Sequence, residues 1–292
     1  MEPEDAGQTG DVPVSKGVIE MAKKVPANNE DKKRSYYKYY LQDCAAGDPE
    51  RHKLIDAGPG DPANALHIDN RNDLFLPGDL PGEFGWFQMS DGTGLIANKT
   101  FFPGVDGVMF DWWFAWHPIH RLRYACWDNE DHYDVYLDDP AKALDLSKSM
   151  RERHWGSIHN IWEDIGTGKA DLLRIHFRKP SELGYDESKV DTEVCNALVC
   201  ANVQVIGDDT MPDVPVVMTH FLRPCEGGSI LRSRFWFGWQ IIDGKAVKCI
   251  PDGVQIPAQA MVNLLHHNVK EFSNLSRILP ALYAEEKDNW LD

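Results

Sequence analysis

PAQAMVNLLHHNVKEFSNLSRILPALYAEE, residues 257–286, is the stretch from which the fold is read. Its apolar residues Met261, Leu264, Leu265, Val269, Phe272, Leu275, Ile278, Leu279 and Leu282 recur at helical spacing, which predicts one long amphipathic helix. Pro257 suits a first turn, where its missing N–H has no partner to lose. Pro280 predicts a kink or break near Leu279. One row of this helix reads Ala260, Leu264, His267, Glu271, Leu275, Ile278. An imidazole and a carboxylate four residues apart, about 6 Å of rise, therefore interrupt a stripe that should face the core. A solvated pair is the plain alternative. A core-facing Glu, however, needs a cation or strong donors, because an unpaired buried carboxylate costs several kcal/mol. His266 is the weaker ligand candidate, since Lys270, four residues on, cannot help hold a cation.

Working back from this helix, residues 171–250 alternate in the manner of antiparallel strands. Leu173, Ile175 and Phe177 form one side of a strand, and Leu198–Val205, Val216–Leu222 and Ile230–Ile242 follow. Asp243–Gly244 then turns a hairpin into Lys245–Ile250. Further upstream, GWFQMSDGTGLIANKTFFPGV predicts two strands around a turn at Asp91–Gly94. MFDWWFAWHPIHRLRYACW predicts a helix through Trp116, then a short strand at Leu122–Trp127. Strands that close with one long helix indicate an α+β class: a curved antiparallel sheet wrapped around the C-terminal helix. This is the helix-grip arrangement of START-like and birch-pollen-allergen-like proteins, with a ligand cavity between sheet and helix.

The first third differs in texture. Residues 1–12 read as disordered, Val14–Lys24 as a short helix and Asn29–Asp43 as another, carrying Tyr36, Tyr37, Tyr40 and Leu41. Residues 47–85 are dense in Pro, Gly, Asp and Asn and read as loop with few regular elements. The expected division is residues 1–84 as a small helical and loop-rich subdomain or lid, and 85–292 as the helix-grip catalytic domain.

A formal net charge of −16, from 46 acidic against 30 basic residues, argues against a nucleic-acid partner or an anionic membrane surface. Ten Trp and twelve Phe suit an aromatic-walled pocket. The six cysteines show no C-x-x-C pair, and no signal peptide or long apolar run accompanies them. Free thiols in a reducing, cytoplasmic setting are expected.

Partners for His267 and Glu271 must come from the sheet side. His117, His120, His132, His154, His159, Glu163, His176 and His220 all have suitable chemistry, and composition does not rank them. The H-x-x-H pair His117/His120 is interrupted by Pro118. Arg232 and Arg234 share a strand face with Trp236. They could support carboxylates such as Glu163 or Asp164, or lie on a plain exposed face.

The segments GWFQMSDGTG, FPGVDGVMFDWWFAWHP, LRYACWDNEDHYD, WEDIG, THFLRPCEGGSILRSRFWFGW and HHNVKEF together resemble the diacetylphloroglucinol and phloretin hydrolase family over roughly residues 84–286. The resemblance implies a zinc-dependent, homodimeric enzyme that hydrolyses the carbon–carbon bond between a phloroglucinol ring and an acyl group. It implies Zn2+ held by His132 of the DHY element, by Glu163 thirty-one residues later in WEDIG, and by His267 and Glu271. It places Tyr124 close to the substrate and His220 near the scissile acyl group. Val135 stands where the diacetylphloroglucinol enzyme has an Asn against the phenolic ring. That departure leaves ring substitution and acyl chain open. The substrate expected is a small acylated polyphenol. A helix-grip carrier that binds an aromatic ligand without chemistry is the alternative, and it would have no need of the metal.

Overall fold

The computed structural model describes residues 24–207 and 212–291. The segments expected to be disordered (1–12) and helical (14–24) lie outside the described residues, except Lys24. From there the chain runs through α1 (Tyr37–Leu41), α2 (Pro49–Asp56), β1 (Gly85–Gln88), β2 (Gly94–Pro103), α3 (Gly107–Trp116) and α4 (Arg121–Trp127). Next come β3 (His132–Leu137), α5 (Pro140–Ala143), α6 (Met150–His154), β4 (Ile158–Glu163), β5 (Asp171–Arg178) and β6 (Ala197–Val205). The last elements are β7 (Val214–Cys225), β8 (Gly228–Phe237), β9 (Trp239–Ile242), β10 (Lys245–Lys248) and α7 (Ala258–Glu286).

Eight strands form one antiparallel sheet in the order β1-β2-β8-β7-β6-β5-β4-β3. The hairpin β9–β10 stands apart, its turn made by Asp243 and Gly244, both at positive φ. The α+β class with a long C-terminal helix is what the periodicities indicate. α7 lies along the inner face and presents Met261, Leu265, Val269, Phe272, Leu275 and Leu279, all fully buried. At Gly94 a Cβ would come within 2.3 Å of the Met261 sulfur, so the missing side chain gives the Met261 thioether of α7 its seat against β2.

Several local expectations are corrected. Leu122–Trp127 is helical, not extended: His120 caps α4 by accepting from the Leu122 N–H at 3.2 Å, and all six residues are buried. A short run buried on every side carries no periodicity to separate helix from strand. α7 runs unbroken past Pro280 to Glu286, so no break falls at Leu279. The stretch expected over Asn29–Asp43 is a 3-10 turn at Asp31–Lys33 followed by the single short α1. Within 47–85 sits a true helix, α2, started by Asp48 capping the Glu50 N–H with Pro49 behind it. Ile230–Ile242 divides into β8 and β9 at Gly238, whose φ is +87°.

Residues 24–84 contribute side chains to both faces of the sheet. Tyr36, Tyr39, Tyr40 and Ile55 join the inner core around α3 and α7, while Leu66, Ile68, Leu74 and Phe75 cover the outer face against Phe221 and Trp236. Arg232 and Arg234 lie on that outer face, 1% and 0% exposed. Their partner is Glu83, with Arg232 Nε at 3.0 Å and Arg234 Nη2 at 2.8 Å. They neither support Glu163 or Asp164 nor form an exposed face, because the segment before β1 folds over them.

Candidate metal centre

β3 and β4 pair with His132 directly opposite Glu163. On β4 the inward residues alternate as His159, Ile161 and Glu163. His267 and Glu271 descend from α7 one turn apart, onto the same spot. His132 Nε2 lies 3.3 Å from His267 Nε2, 3.6 Å from Glu163 Oε2 and 3.8 Å from Glu271 Oε2. His267 Nε2 is 4.0 Å from Glu163 Oε2. All four residues are buried. His132, Glu163 and His267 form a compact trio able to hold a metal ion, and Glu271 closes on it from the helix.

The donor set fits a cation. His132 Nδ1 faces the Tyr124 carbonyl at 3.3 Å, and a carbonyl only accepts, so the proton sits there and Nε2 offers a lone pair. Two carboxylates and two imidazole nitrogens thus converge with few protein donors between them. Burial raises Glu163 and pushes Glu271 well above the ordinary carboxylate range, with Glu163 adding to the shift of Glu271 and Asp128 and Asp131 to that of Glu163. Burial also drives His132 well below its usual value, with the neighbouring His267 adding to the shift. For His267 burial alone would lower the pKa. The carboxylates of Asp131, Glu163, Glu271 and Asp128 together outweigh it and hold the ring at about 10. Without a cation this charge distribution is satisfied only by protons.

The surrounding residues orient the cluster. Asn98 on β2 donates to Asn268 Oδ1 at 2.9 Å, and Asn268 donates to Glu271 Oε1 at 2.8 Å. Asp131 Oδ2 stands 3.7 Å from His267 Nδ1. The Tyr124 hydroxyl donates to Glu163 Oε2, and the Tyr124 ring stacks on His132 with centroids 4.1 Å apart. A second trio, Asp128, Asp131 and His267, is also compact. There Lys270 Nζ already sits 3.1 Å from Asp128 and 2.7 Å from both Glu130 and Asp131, so a cation is supplied by the protein. Sequence reasoning set Lys270 aside and missed Asp131 and Asn268. The adjacency of Asp131 to His132, and of Asn268 to Glu271 at i−3, was the only signal for them.

Glu163 and Glu271 of the cluster line a cavity between α7 and the inner faces of β4–β8, with about 890 Å³ of empty space counted out to its mouth. Its walls are largely apolar, among them Leu173, Val203, Val216, Phe235 and Leu264. Tyr124 and His220 both line it. His220 is buried, its Nδ1 2.9 Å from Ser233 Oγ, and burial lowers its pKa to about 3. His117 and His159 line the same cavity without joining the cluster. His154 is buried beside them, with Nδ1 on the Met150 carbonyl at 3.2 Å. His120 serves as the α4 cap, and His176 is half-buried on β5. His266 points the other way, pairing with Asp56 at 2.9 Å and His52 at 2.7 Å.

Residues 66–284 match the family model described as the DAPG hydrolase PhiG domain. The chain belongs to the DAPG hydrolase family. Among curated relatives it is 43% identical over 271 residues to a phloretin hydrolase of Eubacterium ramulus, covering 91% of this chain and 96% of that one. It is 28% identical over 243 residues to a 2,4-diacetylphloroglucinol hydrolase of a Pseudomonas species, covering 75% and 76%. A looser structural likeness joins it to the crystal structure of Ara h 8.0201, with TM-score 0.41 at 8% identity over 65% of this chain and 99% of that one. Membership of a hydrolase family makes the cavity a candidate active site. No helix among the described residues is long and apolar enough to cross a membrane.

Proposed function

We propose that this protein is a zinc-dependent hydrolase that cleaves the carbon–carbon bond between a phloroglucinol-type ring and its acyl group. The observation that carries the reading is the convergence of His132, Glu163, His267 and Glu271 beside an apolar cavity that the two carboxylates line, in a member of the DAPG hydrolase family. The named relatives act on phloretin and 2,4-diacetylphloroglucinol, and an acylated polyphenol of that class is the substrate assigned here. A pure carrier has no use for four buried acceptors aimed at one point.

Two imidazoles and two carboxylates suit zinc. Bound there, the ion supplies Lewis acidity and lowers the pKa of a water to about 7. The net reaction adds the water oxygen to the acyl carbon, breaks the ring–acyl bond and returns a proton to the ring carbon. Expelling an aryl carbanion is avoided when the trihydroxy ring first takes that proton and becomes a β-diketone-like tautomer. Tyr124 is the group assigned to this proton. Burial and the adjacent Glu163 hold its phenol well above its ordinary range, so it stays a donor. His220, neutral and fixed through Ser233, is assigned to orient the acyl oxygen side of the substrate. Val135 lies on β3 rather than among the cavity-lining residues, so ring recognition falls to other side chains.

The test is incubation of the zinc-loaded protein with phloretin and a panel of acylphloroglucinols, with chromatographic detection of the released ring and acid. Glu271→Ala and His132→Ala should lose turnover and zinc together. Turnover retained in a zinc-free variant would reject the reading. The same reading takes the protein as a cytoplasmic homodimer, which sedimentation of the zinc-loaded chain tests.

A further inference from the structure

His117 and His159 lie beyond Tyr124, 3% and 2% exposed, in the part of the cavity walled by Phe114 and Phe177. Their tautomers follow from their partners. His117 Nδ1 is 2.8 Å from the Trp113 carbonyl, so the proton is on Nδ1 and Nε2 keeps a lone pair. Ser157 Oγ donates to the His154 carbonyl and therefore accepts from His159 Nε2 at 3.2 Å, which leaves the lone pair of His159 on Nδ1. Neither His117 Nε2 nor His159 Nδ1 has a protein partner among the described residues, and both rings line the cavity. Burial keeps both neutral, His117 down to about 3 and His159 well below its usual value. The ring centroids are 6.3 Å apart and the planes are inclined at 73°. His117 is 5.9 Å from Tyr124, and His159 sits four residues along β4 from Glu163 on the same face.

Two buried acceptors in an apolar pocket select a ligand that brings two donors. An ether, carbonyl or carboxylate would set lone pair against lone pair and leave both imidazoles unpaired. Two acceptors on rings whose centroids are 6.3 Å apart match two hydroxyls on one ring better than the single hydroxyl of a distant arm.

We infer that His117 Nε2 and His159 Nδ1 form an acceptor pair that receives a 1,3-related pair of free ring hydroxyls, one of them para to the acyl group. The protein thereby selects substrates whose ring is not O-alkylated. This rests on the hydrolase reading for the identity of the ring, and it deepens that reading by assigning ring specificity. It also gives the substrate a direction, with the polyhydroxy ring at the histidines and the acyl arm along the aliphatic walls of β5–β7.

The experiment uses the full-length zinc-loaded protein. Binding of phloroglucinol and of 1,3,5-trimethoxybenzene is measured by calorimetry, and kcat and KM are measured for an acylphloroglucinol and its para-O-methyl ether. Wild type should bind phloroglucinol and not the trimethoxy compound. His117→Leu and His159→Leu should each weaken phloroglucinol binding and raise KM roughly 10- to 100-fold, with zinc content unchanged. The penalty for O-methylation should disappear in the same variants. His117→Gln and His159→Asn, which return an acceptor oxygen near the lost nitrogen, should recover most of the affinity. Unchanged binding in the Leu variants, or equal binding of the trimethoxy compound by wild type, overturns the inference. If the Leu variants fail to fold, the Gln and Asn variants and the wild-type methylation series still decide it. Phloroglucinol binding needs no turnover. A protein that binds the ring through these histidines but cleaves no acylphloroglucinol would reject the hydrolase reading and keep the acceptor pair.

Discussion

Glu83 sits just ahead of β1, and its carboxylate is the counter-charge for two guanidinium groups on the back of β8. Glu83→Ala would leave Arg232 and Arg234 buried, with Leu74 O and Ser233 O among their few remaining acceptors. Breaking a buried pair by removing one partner costs about 3–5 kcal/mol. The carboxyl's titration gives a second figure. Burial by itself would raise it, but Arg232 and Arg234 outweigh burial and hold it at about 2, against an ordinary 4.5. By linkage that difference is worth roughly 3 kcal/mol, reduced to about 2–3 for residual contact with water. Urea unfolding at pH 7 should therefore show Glu83→Ala less stable by about 3 kcal/mol with an unchanged denaturant slope. The folded pKa is depressed, so the contribution is complete above the unfolded value near 4.5 and fades as pH falls toward 2. Wild-type and variant stabilities should converge over that interval. A gap below about 1 kcal/mol at pH 7, or one that widened in acid, would refute the reasoning. Ser233 and Phe235 occupy the opposite face of the same strand, beside His220 and in the cavity wall. The variant should therefore also raise KM.

Zinc at a hundredfold excess over its Kd should stabilise wild type by about 2.7 kcal/mol, read as a rise in Tm after chelation and refilling. Glu271→Ala should show little of that rise, and a full rise would remove Glu271 from the ligand set. Asp131→Asn should weaken zinc binding 10- to 100-fold by freeing the His267 ring, measured by competition with a chelating dye. Affinity equal to wild type would mean that Asp131 serves only Lys270. Tyr124→Phe should lower kcat by about 10²- to 10⁴-fold at constant zinc content and near-constant KM. A variant with normal kcat would take the proton-transfer role away from Tyr124.

Much of the architecture was legible along the chain because period and partner are local properties. The 3.6-residue stripe of 257–286 and the alternation at Leu173, Ile175 and Phe177 each record which side of one element meets the core. Leu122–Trp127 was misread because α4 is buried all round and has no polar side to reveal its period. α2 was hidden in a Pro- and Asp-rich stretch whose Asp48–Pro49 pair is itself a helix start. Arg232 and Arg234 could not be assigned a partner, since Glu83 lies about 150 residues upstream and meets them only when the segment folds over the sheet.

The sequence by itself determined the class of fold, the absence of a nucleic-acid-binding charge and the His267–Glu271 pair, because each depends on composition or on residues one helical turn apart. Tertiary structure alone decided that His132 stands opposite Glu163 across β3–β4, that Lys270 fills the neighbouring acidic trio, and which nitrogens of His117 and His159 are already hydrogen-bonded. Those depend on strand register and on hydrogen-bond partners distant in the chain, which no local spacing encodes.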